Sequence, residues 1–471
     1  MAIFDKTRVY TLLEQYNPWW KNGKVIAPLP TVRRRAYQDV LNTITNPELR
    51  RFAVLSGARR VGKTTVMKQL IAELLTRGVP ASNILYLSFD NPIFKLCGFD
   101  QVIQTYEEFM PHTGTYYFFL DEVQYADSWS LWVKTLYDMH SELRVVATGS
   151  ASPAIEKGAS DSGVGRWRVF RMPTMTFTEY CHMRGIEAGV QHVPTLQKIA
   201  QMSEREFHQF MLKFNNLTPH WNRYIIMGGF PELLSMQDSA EAQRILREDV
   251  VDKVLKRDIP ALFDVRNSLQ LEKIFLYLCL HSGSLISYAS ICSELEGVSK
   301  PTLTRYIDYL RDANLLYISV DNHTIGKRGL ASQPKIYIAD AALRNASLMI
   351  ETPMANPADM GLMAETTVYK HFVHSFSHMA HVGYMRIPGD KEIDIVVSLP
   401  TNTRILCEVK YRSNSPLCAH DAILNQAASP GCTGAFVATR DPQDYSITHT
   451  DSGARIIRIP APVLCYILGA M

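Results

Sequence analysis

Strand-like apolar runs recur between positions 51 and 180: Phe52–Leu55, Ile84–Phe89, Thr115–Leu120, Leu143–Thr148 and Trp167–Met172. Helical spacing fills the intervals. After the first run, Val66, Leu70, Ile71, Leu74 and Leu75 fall on one face. Strands alternating with helices predict an α/β domain built on a parallel sheet. From 181 to 265 the pattern is helical, broken by the compact turn Gly228-Gly229-Phe230-Pro231-Glu232. Over 266–345, Leu271, Ile274, Phe275 and Leu278 give one amphipathic helix and Tyr288–Leu295 a short second. A third opens at Lys300-Pro301, with Leu303, Ile307 and Leu310 at core spacing. Two strands follow, Leu315–Val320 and Lys335–Ile338. Three helices and a two-stranded wing predict a winged helix, with Lys300, Thr302, Thr304 and Arg305 on the exposed face of its third helix.

Residues 346–471 carry an α-β-β-β-α-β outline, of which five elements are placed: a helix through Val368 and Phe372, strands Glu392–Val397 and Ile405–Tyr411, a helix over about 418–428, and a strand Ala435–Thr439. Residues 1–50 form an N-terminal extension. Its adjacent Trp19 and Trp20 read as a packing anchor, and Arg33-Arg34-Arg35 as a solvated face in preference to a phosphate site.

The first strand and its helix flank Gly57-Ala58-Arg59-Arg60-Val61-Gly62-Lys63-Thr64-Thr65, a G-x-x-x-x-G-K-[ST] stretch in the order that makes the motif specific. Glycines let backbone N–H groups curl around a β-phosphate, and the helix N-terminus favours the anion. Lys63 is then positioned for the β- and γ-phosphates and Thr64 for Mg²⁺. ATP and Mg²⁺ are the expected ligands.

The third strand ends in Asp121-Glu122, the pattern in which the first carboxylate holds Mg²⁺ through water and the second polarises the attacking water. Thr148 and Ser150, ending the fourth strand, stand where a polar side chain senses the γ-phosphate or orients that water. Arg166 is a candidate arginine finger, with a surface arginine or a carboxylate partner as the plainer reading. Arg257 and Asp258, near the end of the helical region, read as a structural ion pair more than as nucleotide contacts.

A second constellation lies near the C-terminus. Asp394, Glu408 and Glu365 offer hard oxygen ligands for Mg²⁺ or Mn²⁺, and Lys410, two residues from Glu408, shares its face of the strand. Lys410 would orient a water or stabilise developing charge.

Net charge is +3, too small to argue for or against nucleic acid, so any basic surface must be local. The eight cysteines include no C-x-x-C pair, and Cys279, Cys407 and Cys465 sit in apolar runs, which points to a reducing compartment without a zinc site. The first residues lack an apolar signal core and no stretch approaches about 18 uninterrupted apolar residues, so a cytoplasmic protein with no membrane partner is expected.

An ordered set of segments resembles a bacterial and archaeal family of AAA-type ATPases with a C-terminal domain of undefined function. These are Asn17–Trp20, Gly57–Thr65, Leu120–Tyr125 with Trp129, Gly149–Ala151, Asp161–Arg166, Gly228–Glu232 and Lys256–Pro260. The resemblance implies an AAA+ core over 51–180, a helical lid over 181–265, a winged helix over 266–345 and a restriction-endonuclease-like α/β domain over 346–471. Glu365, Asp394, Glu408 and Lys410 match the PD-(D/E)xK pattern, with Ile393-Asp394 replacing its leading Pro-Asp.

The expectation is an ATPase coupled to a metal-dependent DNA endonuclease. Arg166 acting in trans requires a homo-oligomer, a ring or partial ring. The alternatives are an ATP-dependent switch binding DNA or protein, and a branch-migration motor, either with an inactive nuclease fold.

Overall fold

The structure, a computed structural model, describes residues 5–25, 28–126, 128–149, 165–263, 265, 267–322, 332–389, 391–413, 416–418 and 421–471. The chain divides into two compact units. One comprises residues 1–173, 258–264 and 312–314, and the other residues 174–257, 265–311 and 315–471.

In the first unit the five apolar runs become β1 (Phe52–Ser56), β2 (Ile84–Ser88), β3 (Tyr116–Asp121), β4 (Leu143–Gly149) and β5 (Trp167–Arg171). They form one parallel sheet in the order β2-β3-β4-β1-β5. Every residue of β1 and β3 is buried, which is why these strands read as unbroken apolar runs and not as alternation.

The N-terminal segment packs on β2, an edge of this sheet. The Asn17 side chain imitates a strand residue: its Nδ2 donates to the Tyr86 carbonyl at 3.0 Å and its Oδ1 accepts the Tyr86 N–H at 2.6 Å. The Trp19 and Trp20 indoles both donate to the Ile84 carbonyl, at 3.0 and 2.9 Å. The tryptophan pair is thus the expected anchor. In the arginine triplet Arg33 and Arg35 are exposed as expected, and Arg34 departs from the solvated face. Arg34 is buried and donates to the carbonyls of Val61 (2.5 Å) and Pro173 (2.8 Å), while Arg33 pairs with Glu73 at 3.0 Å.

In the second unit, helices Ser268–Leu280, Tyr288–Glu294 and Lys300–Asp312 precede an antiparallel pair, β6 (Leu316–Ser319) and β7 (Lys335–Ile338). Leu303, Ile307 and Leu310 are buried at the expected spacing. A six-stranded mixed sheet follows: β8 (His381–Ile387), β9 (Lys391–Ser398), β10 (Arg404–Lys410), β11 (Cys432–Thr439), β12 (Ser446–His449) and β13 (Arg455–Pro460), in the order β12-β13-β11-β10-β9-β8. The helices Pro357–Phe376 and Ala461–Ala470 belong to its apolar core.

The Gly228-Gly229 turn is built around a buried ion pair. Lys370 Nζ lies 2.9 Å from Asp340 Oδ2, which also accepts the Gly229 N–H at 3.1 Å. A Cβ on Gly229 would meet the Met175 carbonyl oxygen at 2.5 Å, so this turn admits only glycine.

His371 is fully buried and satisfies a helix terminus. Its Nε2 accepts the Phe177 N–H at 2.8 Å, at the start of the helix Phe177–Met183, and its Nδ1 donates to the Thr367 carbonyl at 2.7 Å. Burial, and then the neighbouring Lys370 charge, hold its pKa well below the ordinary imidazole value. Below pH ~6.5 the unfolded chain takes up a proton that folded His371 refuses. Stability therefore falls as pH drops from there, by up to about 1.4 kcal/mol per pH unit from this group. Urea unfolding between pH 5 and 7.5 is expected to give a shallower pH slope for His371→Gln than for the wild type. Parallel slopes would remove His371 from the acid response.

Candidate functional site

The P-loop joins the C-terminal end of β1 to the helix Lys63–Thr76. Its tight course is set by backbone space. A Cβ on Gly57 would lie 2.1 Å from the Met172 carbonyl oxygen, and Gly62 caps the helix at φ 96°, with Arg60 also left-handed at φ 61°. Val61 lends its carbonyl to Arg34, which braces the loop from outside. Thr65 follows Thr64 in the first turn, half-buried.

Lys63 is buried. Its ammonium donates back into the loop, to the carbonyls of Gly57 at 2.8 Å and Ala58 at 2.9 Å. Burial pulls its pKa down, while Glu122 and Asp121 favour the charged form. Thr64 Oγ1 donates to Asp121 Oδ2 at 2.8 Å, so the two residues expected at Mg²⁺ already touch.

Asp121 is held on every side. The Tyr86 hydroxyl donates to its Oδ2 at 2.9 Å and the Thr148 hydroxyl to its Oδ1. Thr148 Oγ1 in turn accepts the Glu122 N–H at 3.1 Å. Thr148 thus joins the two carboxylate positions, bonding to Asp121 itself and to the Glu122 backbone. Glu122 occupies a left-handed position at φ 53° and accepts a hydrogen bond from Gln124 Nε2. For a non-glycine residue that conformation is uncommon and clusters at functional sites. Ser150 lies outside the described residues.

Two site residues escaped the sequence reading. Tyr86 shares a sheet face with Asp121 through the pairing Ser88↔Asp121, and its signal was a lone hydroxyl in the run Ile84–Leu87. Tyr125 completes a cluster with Arg59 and Asp258. Arg59 Nη2 donates to Asp258 Oδ1 at 2.7 Å and to the Tyr125 hydroxyl at 2.8 Å, and that hydroxyl donates to Asp258 Oδ1 at 3.0 Å. Burial works against the Arg59 charge, but Asp258 raises its pKa above the ordinary value; burial and Asp258 push Tyr125 up to about 12. Asp258 thus belongs to an ion pair as expected, but the partner shown is Arg59 of the P-loop, which the sequence reading did not link to it.

Arg166 stands elsewhere. It precedes β5, whose Trp167 pairs with Phe52 at the start of β1, while the P-loop leaves the other end of β1. A five-residue strand puts about 16 Å between those ends. Here Arg166 pairs with Asp138 at 2.9 Å.

In the second unit, strand alternation gathers the acids. Glu392 and Asp394 share one face of β9, and Lys335 and Tyr337 share one face of β7. Lys335 is 2% exposed, with its Nζ 2.6 Å from Glu392, 3.7 Å from Asp394 and 3.8 Å from Glu365. The Tyr337 hydroxyl donates to Glu365 at 2.8 Å. Burial opposes the Lys335 charge, yet Asp394, Glu365 and Glu392 together raise its pKa above the ordinary lysine value. Burial and Asp394 push Glu365 up to about 7.

Glu408 and Lys410 meet as the spacing predicts, at 3.2 Å, and Lys410 also pairs with Asp421 at 3.3 Å. Asp394 Oδ2 accepts the Val409 N–H at 2.9 Å and Glu408 Oε1 the Ile423 N–H at 3.0 Å. The expected trio Glu365, Asp394 and Glu408 does not close on one cation position. Two of its acids face the Lys335 ammonium and the third faces Lys410, and among the described residues no three acid, histidine or cysteine side chains are grouped to hold a metal ion. As arranged, the cluster does not fit a divalent metal. Lys335 and Glu392 went unnoticed in the sequence, where their signal was a charge opening an apolar strand.

Among the described residues no helix is long and apolar enough to cross a membrane. Residues 49–181 match the family model described as an AAA domain, and residues 218–354 match one described as a domain of unknown function. An uncharacterized protein of Haemophilus influenzae is 26% identical over 304 residues, covering 63% of this chain and 68% of that protein. An uncharacterized protein of Methanocaldococcus jannaschii is 24% identical over 291 residues, 61% of this chain and 60% of that protein. Among solved structures, the Aeropyrum pernix ORC1 protein in complex with DNA is similar over 70% of this chain and 96% of that one, at 15% identity and a TM-score of 0.29. The Thermotoga maritima RuvB Holliday junction branch migration motor is similar over 65% of this chain and 92% of that one, at 13% identity and a TM-score of 0.30. Both structural likenesses are too distant to carry an argument.

Proposed function

We propose that the AAA-type domain of residues 49–181 binds and hydrolyses ATP, and that the chain uses this cycle to act on DNA. The observation that carries the reading is the contact of Thr64 with Asp121 beside a loop whose lysine is already drawn inward. ATP with Mg²⁺ would supply the phosphoanhydride and the cation that offsets its charge. Backbone N–H groups of Gly57–Thr65 hold the phosphates, and Lys63 exchanges its loop carbonyls for phosphate oxygens. Thr64 and Asp121 would hold the Mg²⁺, Tyr86 and Thr148 fix the Asp121 carboxylate, and Glu122 would take the proton of the attacking water. Arg166, at the wrong end of the sheet for its own P-loop, serves a neighbouring subunit, which makes the working form a ring or partial ring.

The DNA part rests on the helix Lys300–Asp312, which exposes Lys300, Thr304 and Arg305 ahead of the β6–β7 hairpin in the manner of a winged helix. Duplex or branched DNA is expected to raise the ATPase rate several-fold, and Arg305→Glu to remove most of that rise without changing the basal rate. A panel of single-stranded, duplex, forked and four-way DNAs tests this. No stimulation and no mobility shift by any of them would turn the reading toward a protein-directed switch.

For the C-terminal domain two readings stand. One is metal-dependent cleavage through Asp394, Glu408 and Lys410, with Glu365 completing the metal set. The other is a nuclease fold that holds its partner without cutting, and the Lys335 ammonium among the acids favours this second reading.

A further inference from the structure

We infer, on the reading of Glu122 as the base, that Tyr125 and Asp258 are positioning residues for ATP hydrolysis, acting through the turn that carries Glu122. Glu122 precedes a single helical turn, Val123–Tyr125, which the Tyr125 N–H closes on the Glu122 carbonyl at 3.1 Å. Its left-handed φ of 53° is not one a glutamate adopts by preference, so contacts on both sides must hold it. On one side the Thr148 hydroxyl takes the Glu122 N–H at 3.1 Å. On the other stands the Tyr125 phenol, which donates to Asp258 Oδ1 at 3.0 Å and accepts from Arg59 Nη2 at 2.8 Å. Three segments of the first unit therefore meet at one oxygen atom: the P-loop, the turn of the base, and a segment 133 residues beyond Tyr125. Asp258 is 3% exposed and its carboxylate is bound by Arg59, so the acceptor of the phenol is itself fixed. It closes a stretch of π-helix, Val254–Asp258, a wide form that recurs at functional sites. Burial and Asp258 push the phenol up to about 12, which keeps it a donor at neutral pH. A general base needs its carboxylate held to within about 0.5 Å. The Glu122 carboxylate accepts Gln124 Nε2, from the same turn, so its placement is that of the turn as a whole. Fixing Tyr125 fixes the base.

Tyr125→Phe removes the hydroxyl and keeps the ring. Single-turnover hydrolysis by the full-length chain is expected to slow about tenfold, the effect of one lost hydrogen bond, while calorimetric affinity for the β,γ-imido analogue of ATP with Mg²⁺ stays within about twofold. A Glu122→Gln background gives the readout that a brace of the fold would not move. With the base gone, Tyr125→Phe is expected to alter the residual rate by less than about twofold. Asp258→Asn, which keeps the shape of the acid, is expected to slow hydrolysis in the wild type and not in that background, and carries the test if the phenylalanine variant does not fold. Equal slowing in both backgrounds would make Tyr125 a general support of the fold and overturn the inference. So would a folded Tyr125→Phe that hydrolyses like the wild type. A wild type that hydrolyses no ATP, or one unaffected by Glu122→Gln, would instead take away the base itself and the inference with it.

Discussion

Lys63→Ala is expected to weaken ATP binding by about two orders of magnitude, the loss of two charge-assisted hydrogen bonds at about 1.5 kcal/mol each. The expectation follows from where the ammonium sits. It is buried in the P-loop, and its two hydrogen bonds go to carbonyls of the same loop, at 2.8 and 2.9 Å. Those carbonyls are neutral acceptors, and triphosphate oxygens carrying formal charge replace them at a gain. Alanine leaves the loop without this buried cation, and the neighbouring Arg59 is committed to Asp258 and Tyr125. Isothermal titration calorimetry with ATP and Mg²⁺ gives the answer directly. Unchanged affinity would sink the P-loop assignment.

Glu122→Gln is expected to leave ATP affinity within about twofold and to slow hydrolysis by about 10²- to 10⁴-fold, the usual contribution of a general base. The separation of effects follows from the division of labour between neighbours. Asp121 accepts hydrogen bonds from Thr64, Tyr86 and Thr148, while the Glu122 side chain bonds only to Gln124 among the hydrogen bonds described. The φ of 53° at Glu122, steadied by the Thr148 hydroxyl on its backbone N–H, turns this side chain away from the course of β3. Single-turnover hydrolysis measured beside nucleotide binding distinguishes the two effects. Near-normal turnover would assign the base elsewhere.

The parallel sheet was legible because both its faces are buried, so each strand is written as a run of apolar residues between polar punctuation. The P-loop was legible for a different reason: backbone geometry there tolerates few residue types, and Gly57 and Gly62 announce it. What could not be read were contacts between residues far apart in sequence. Lys335 lies 57 positions from Glu392, and Asp258 lies 199 from Arg59. No local pattern encodes which distant partner an isolated charge will find. The terminal helix Ala461–Ala470 was missed because it is apolar all round, which leaves no periodicity to detect. The C-terminal acids show the complementary error. Glu408 and Lys410 were read correctly as sharing one strand face, but face-sharing says nothing of the counter-ion of Asp394, which a lysine from another sheet supplies.

The docking of the N-terminal segment on β2 bears on how the chain avoids edge-to-edge strand pairing. An outer strand of a sheet offers unsatisfied backbone groups to any other extended chain, the usual seed of intermolecular β-pairing. On β2 those groups are taken by the amide of Asn17 at Tyr86 and by two indoles at Ile84. Side chains thus complete the hydrogen bonding of the strand without adding another strand, so the row of paired backbones stops there. The bulk of two tryptophans bars the approach of a neighbour that would extend it. The segment before the core thus closes this edge with side chains, and shortening the chain past Trp20 is expected to leave an open seam.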